Sequence, residues 1–165
     1  MKKPEPMIRW FMLSNLVANT AYSVCAPLLP LEFERHGIAA SYVGATFALY
    51  SLGTMIVSPF VGQRVDQVGY HNFIGLALGS MGFAFFCFGF VNAMESKVNI
   101  LILSFVMRLI HGIGCATQYT TSITVGLNEY KDAQESVIGS LQTMTALGQI
   151  TGPILGSTLF SFLGF

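Results

Sequence analysis

The chain has 165 residues, 53% of them apolar and only 10% charged, and its eight basic and eight acidic residues cancel to a formal charge of zero. A soluble domain is about one-quarter charged, and a chain this short has too little interior to hide so much apolar surface from water. The basic residues are dispersed and form no nucleic-acid patch, while Cys25, Cys87 and Cys115 stand at no metal-like spacing and read as small packing residues. No metal, cofactor or nucleic acid is expected, and the loops offer no nucleophile–base set for an enzyme.

Five uncharged stretches, residues 10–31, 37–63, 72–94, 98–128 and 136–165, divide the chain, with Arg108 the only charge inside any of them. A helix of roughly 20 residues crosses a hydrocarbon core of about 30 Å. The expectation is an all-α membrane protein, a single partial bundle over residues 1–165 with five transmembrane helices at about 8–29, 40–61, 73–92, 99–124 and 137–163. The first stretch is long and lacks a small-residue cleavage site, so it reads as a retained helix. A cytoplasmic N-terminus puts Lys2, Lys3, Arg9, Arg64 and Lys131 inside and leaves Arg35 and Lys97 outside, the expected bias.

In the first expected span, Asn15, Asn19 and Ser23 recur every four residues and share one face. That face is a candidate cavity lining and equally a candidate set of interhelical hydrogen bonds. Pro27 and Pro30 are expected to break the outer end of this helix. The second span carries Tyr50, Gly53 and Ser58-Pro59, with a bend expected at Pro59. In the third, Gly75, Gly79 and Gly82 lie on one flank where a neighbouring backbone can come close, and Asn72 is placed as an N-cap.

The fourth span contains Arg108 with His111 one turn away on the same face, followed by Gly112 and Gly114. A guanidinium at that depth needs a partner. The expected spans contain no Asp or Glu, so the partner must be a backbone carbonyl, a polar side chain such as those of the first span, a substrate, or a residue outside this chain. Snorkelling toward the outer headgroups is the structural alternative. The fifth helix starts early, at the capping-box spacing of Asp132 and Glu135. Its middle presents Gly148, Gly152 and Gly156 as a smooth strip interrupted by Pro153, a pattern suited to close packing and bending.

Between the second and third spans lies Gly62-Gln63-Arg64-Val65-Asp66-Gln67-Val68-Gly69-Tyr70-His71, read as a short turn in which Gly62 and Gly69 relieve the backbone and Asp66 accepts from helix-end N–H groups or from Arg64. This pattern resembles the loop signature of the major facilitator superfamily of secondary transporters. Arg108 and Gly112 resemble that family's pattern in the fourth span, and Gly148, Gly152-Pro153 and Gly156 its antiporter-associated pattern in the fifth. Within the superfamily, Tyr22 to Glu32 with its Pro27 and Pro30, Phe47 to Gly53, and Ser58-Pro59 are similar to the vesicular amine and drug:proton antiporter branch. Two departures stand out. Tyr70 and His71 occupy positions where relatives generally carry Arg or Lys, and Asn15 and Asn19 stand where many amine transporters place an acid.

The resemblance covers nearly the whole chain but only the first five of the family's usual twelve helices, the amino-terminal portion. It implies a transporter, or a fragment of one, that moves a small organic solute by alternating access with protons as the coupling ion, in the plasma membrane or an intracellular vesicle membrane. Asn15, Asn19, Ser23, Arg108 and His111 would then form the substrate or coupling site. Gly62, Arg64, Asp66, Gly69, Gly112, Gly148, Gly152, Pro153 and Gly156 would serve conformational change. Besides membrane lipid, the partners implied are the missing carboxy-terminal helices or a partner membrane subunit. The alternative, motivated by length, is a non-transporting membrane structural or assembly subunit of transporter ancestry.

Overall fold

The computed structural model describes residues 6–163. Within them the chain forms five long helices, α1 (Pro6–Arg35), α2 (Ser41–Val68), α3 (Tyr70–Phe88), α4 (Lys97–Glu129) and α5 (Gln134–Leu163). Short 3-10 turns follow α3 (Gly89–Ala93) and precede α5 (Lys131–Ala133). Each break has a local cause. Gly37 adopts φ +61° after α1, with Ile38 N–H donating to the Phe33 carbonyl at 2.8 Å and Gly37 N–H to that of Glu34 at 2.9 Å, a Schellman-type ending that needs a residue without Cβ. Gly69, at φ +87°, is the single residue between α2 and α3.

Three apolar clusters stacked along the bundle fix the topology. One joins the start of α1 (Ile8, Phe11) to the end of α2 (Val61, Val65), the end of α4 (Val125) and the start of α5 (Val137, Leu141). At the opposite end, Leu29 and Phe33 of α1 meet Ile38, Phe88, Val91 and Ile100. Ala18, Met81 and Cys115, with Tyr50, fill the middle. Successive helices therefore run up and down. α1 packs principally on α5, while α2 and α3 both pack on α4.

Glycines let these backbones touch. A Cβ on Gly53 would lie 2.8 Å from the Leu109 carbonyl oxygen, and one on Gly112 would collide with the Tyr50 backbone, so α2 and α4 meet without intervening side chains. Gly114 makes the same approach to α3, where a Cβ would lie 3.0 Å from the Ala77 carbonyl. Along the other seam, a Cβ on Gly148 or Gly156 of α5 would lie 2.8 Å from the Leu16 carbonyl oxygen or 2.7 Å from that of Val24, and one on Gly152 would collide with Thr20 and Ser23. Such contacts supply the dispersion attraction that holds helices together in lipid.

The expectation of five transmembrane helices is not met. Among the described residues three helices are long and apolar enough to cross a membrane: Ser41–Val68, Tyr70–Val91 and Lys97–Glu129. α1 and α5, of 30 residues each, have the length, about 45 Å at 1.5 Å per residue, but not the composition. α1 carries Arg9, Ser14, Asn15, Asn19, Thr20, Ser23, Glu32, Glu34 and Arg35, and α5 is interrupted throughout by Ser, Thr, Gln and Gly.

Other local expectations also change. α1 continues through Pro27 and Pro30 to Arg35, held beyond the prolines by the burial of Leu29 and Phe33. Residues 62–68 form the last turns of α2, not a loop, and Gly62 is helical there. Asn72 lies inside α3, its side chain donating to the Val68 carbonyl at 2.9 Å, and Gly69 takes the N-cap position. Gly75, Gly79 and Gly82 face open space, with nothing described within 4 Å of their Cβ positions.

The two kinds of glycine should respond oppositely to substitution. Gly112→Val is expected to destabilise the detergent-solubilised protein by roughly 1–3 kcal/mol or more through overpacking at α2, whereas Gly79→Ala should change it by less than about 0.5 kcal/mol. Thermal unfolding of both variants checks this, and an equal loss in Gly79→Ala would contradict the open flank.

Candidate functional site

The polar face of α1 is turned toward α5. Asn15 is fully buried and its Nδ2 donates to the Leu141 carbonyl at 2.6 Å and to Thr145 Oγ1 at 2.8 Å. Asn19 Nδ2 donates back to the Asn15 carbonyl at 2.8 Å and to Asn15 Oδ1 at 3.0 Å. Ser23 Oγ lies 2.6 Å from the Asn19 carbonyl and 2.9 Å from that of Gly148. These three residues thus have partners within the protein, and they sit on the same seam as Gly148 and Gly152.

Arg108 and His111 are placed differently. Arg108 is 1% exposed, and its Nε, Nη1 and Nη2 have no hydrogen-bond partner among the described residues. Its Cζ instead lies 4.9 Å from the ring centroid of Phe47, 5.5 Å from that of Tyr22 and 5.9 Å from that of Phe88. Three helices thereby contribute one ring each around a cation carried by a fourth. Tyr22 stacks in turn on Tyr50 at 4.3 Å. Tyr50 meets the His111 ring edge-on at 5.7 Å. His111 is also buried, and its Nε2 has no hydrogen-bond partner among the described residues. The guanidinium ends among rings and not at the surface, so the snorkelling geometry is not adopted.

The close approach of α2 to α4 explains how this cluster forms. Gly112 admits the Tyr50 backbone, and Gly53 admits that of Leu109 one turn further along α2. Phe47 and Tyr50, three residues apart on one face of α2, are thereby set over Arg108 and His111.

Two features escaped sequence reading. The first is the length of the buried polar stripe on α4. Ser104, Arg108, His111, Cys115, Gln118 and Ser122 recur at alternating intervals of four and three and are all buried. Ser104 Oγ and Gln118 Oε1 are unpartnered, whereas Gln118 Nε2 donates to Ser14 Oγ at 2.9 Å and Ser122 Oγ at 3.1 Å. The spacing is legible in the sequence, but only Arg108 and His111 stand out from it as candidate site residues. The second is Glu32, 1% exposed near the end of α1, with Arg35 at 3.5 Å and His36 at 3.3 Å. It continues the face of Cys25 and Leu29 at helical spacing and was hidden by ending the helix near Pro30.

The motif residues separate by surroundings. Gly112, Gly148, Gly152 and Gly156 are at helix contacts. Pro153 lies within α5. Gly62 is near Thr120, Gly69 is the linker, and Arg64 and Asp66 are exposed on the final turns of α2. Neither takes part in an ion pair among the described residues, where Glu32 with Arg35 and His36 makes the ion pairs.

A bundle with three apolar helices of spanning length around a buried cation defines an integral, multi-pass membrane protein. Residues 11–165 match the profile of the Major Facilitator Superfamily, and the chain belongs to that superfamily. It is similar to the MFS-type transporter SLC18B1 of Mus musculus, with 24% identity over 151 residues covering 92% of this chain and 33% of the relative. To the multi-drug resistance efflux pump PmrA of Streptococcus pneumoniae it is 24% identical over 170 residues, 98% of this chain and 39% of the relative. The Homo sapiens chromaffin granule amine transporter is 28% identical over 126 residues, 74% of this chain and 22% of the relative. The chain spans well under half the length of each.

Stability should distinguish the two polar groups. Asn15→Ala strands the contact with α5 and is expected to cost about 0.5–2 kcal/mol. Arg108→Met replaces an unpaired buried charge by an apolar side chain and should leave stability unchanged or raise it. Ligand-free thermal unfolding reads both, and a large loss in Arg108→Met would show that the guanidinium holds the bundle together.

Proposed function

We propose that this chain is the amino-terminal part of a secondary transporter that moves a small organic solute across a plasma or vesicle membrane by alternating access, coupled to protons. The observation that carries the reading is Arg108, a buried charge without a hydrogen-bond partner among the described residues of a chain that belongs to a transporter superfamily. A structural cation in a bundle is normally paired. One left unpaired among aromatic rings suits a group that meets its partner only during a transport cycle. The names of the relatives, a chromaffin granule amine transporter and a multi-drug resistance efflux pump among them, favour an organic cargo.

In this reading Arg108 and His111 face the solute or the coupling proton. Asn15, Asn19 and Ser23 hold α1 against α5 beside the site, and they reach the solute only if that seam opens. Gly148, Gly152 and Gly156, with Pro153, give the seam a surface without side chains on which one helix can shift against the other. Gly112 does the same for α2 on α4. Arg64 and Asp66, exposed at the end of α2 beside Gly69, are free to latch onto another segment of a longer protein. The excess of Lys and Arg supports a cytoplasmic side for this end and the N-terminus.

Uptake by the full-length protein tests the reading. Arg108→Ala should insert normally and lose most gradient-driven uptake, and Arg108→Lys should recover only part, because it keeps the charge but not the planar fork of donors. Kinetics corrected for surface abundance and followed across a pH series decide the matter. Wild-type behaviour in both variants would remove Arg108 from the transport site.

A further inference from the structure

Four kinds of partner were open to the Arg108 guanidinium, and the structure closes two. Neither a backbone carbonyl nor a polar side chain among the described residues bonds to any of its three nitrogens. What remains is a ligand or a residue outside this chain. The surroundings favour a ligand. Rings from Tyr22, Phe47 and Phe88 attract the cation through their faces, which keeps the charge tolerable while the site is empty. A permanently paired arginine has no need of such a cage. Phe88 is also a wall of a half-open apolar cavity of about 190 Å³ bounded by Cys25, Leu28, Phe85 and Phe160. An apolar cavity of about 150 Å³ is enough to hold benzene.

The geometry points to a carboxylate-binding site: the Arg108 guanidinium receives the carboxylate of a small, otherwise apolar monoanion whose hydrocarbon body lies against Phe88 and its neighbouring cavity. This rests on the transport reading for the ligand being cargo. A carboxylate matches the fork of guanidinium donors with two parallel hydrogen bonds. Its single negative charge balances the single fixed positive charge, whereas a dianionic phosphate would leave a net charge buried. His111 Nε2, one turn along α4 and also unpartnered, offers a further polar contact. Within the described residues the one fixed charge at the cage is positive, and the buried acid among them, Glu32, is already flanked by Arg35 and His36, which favours an anion over an ammonium group there.

The test uses the full-length protein purified in detergent, with radiolabelled benzoate and its cationic counterpart benzylamine as probes in equilibrium dialysis. Benzoate should bind saturably and benzylamine should not compete with it. Arg108→Gln should weaken benzoate by about tenfold or more, the cost of losing a charged hydrogen-bond partner, and Arg108→Lys should restore part of the loss. Phe88→Leu keeps the charge and removes the ring against which the hydrocarbon body lies, so it gives a second variant should Arg108→Gln not fold; it should weaken benzoate several-fold. Saturable benzylamine binding without benzoate binding, no saturable benzoate binding at all, or benzoate affinity unchanged in Arg108→Gln would each overturn the inference. Uptake into proteoliposomes separates it from the transport reading. Amine uptake without benzoate binding sinks the carboxylate site and keeps the transporter. Benzoate binding without uptake of any solute keeps the site and sinks the transporter.

Discussion

Helix α4 lies so close to α2 that backbone meets backbone at Gly112 and Tyr50 and again at Gly53 and Leu109, and the candidate site follows from that approach. With side chains excluded from the contact, Phe47 and Tyr50 are brought down onto the face of α4 that carries Arg108 and His111. Gly114 draws α3 in on the neighbouring flank, which places Phe88 within reach of the same cation. A longer distance between these helices would admit water or lipid to the guanidinium, and the cage would not exist.

Energetics set this site apart from the seam between α1 and α5. Removing an ion from water costs several kcal/mol even after relaxation. A desolvated cation–π contact returns about 2 kcal/mol or more, so three rings offset much of that cost and still leave the hydrogen-bonding capacity of the guanidinium unused. The seam between α1 and α5 is the reverse case. There Asn15, Asn19 and Ser23 spend their donors on carbonyls and hydroxyls of the protein, and the glycine strip of α5 closes the gap. One interface is fully bonded and the other keeps a charge in reserve.

Sequence reading reached much of this and failed in ways that share a cause. The depth of Arg108 and the close approach at Gly148, Gly152 and Gly156 are legible in hydropathy and spacing, because those are local properties of a helix face. Which neighbour a face meets is not local. Asn15, Asn19 and Ser23 share polarity and depth with Arg108, yet Asn15 and Ser23 bond to α5 and Asn19 bonds back to Asn15, while Arg108 has no hydrogen-bond partner among the described residues. Gly75, Gly79 and Gly82 were read as a contact flank from spacing alone, and among the described residues they face open space. Counting five spans treated the absence of charge as apolarity, although Ser, Thr, Asn, Gln and Gly dilute α1 and α5 enough to leave three helices that qualify. Pro27 and Pro30 read as a break, and the helix nevertheless carries Glu32 into a buried position beyond them, because a proline's effect depends on whether tertiary packing supports the turns around it.

The central claim is that Arg108 stands unpaired until a ligand arrives. A ligand-free structure of the full-length protein, resolved well enough to place side chains, tests it most directly. The account predicts the guanidinium enclosed by Tyr22, Phe47 and Phe88 with no carboxylate of the protein within about 4 Å, the outer limit for an ion pair. An Asp or Glu from another segment in bidentate contact with Arg108 would contradict it, and would make the cage one wall of a permanent salt bridge.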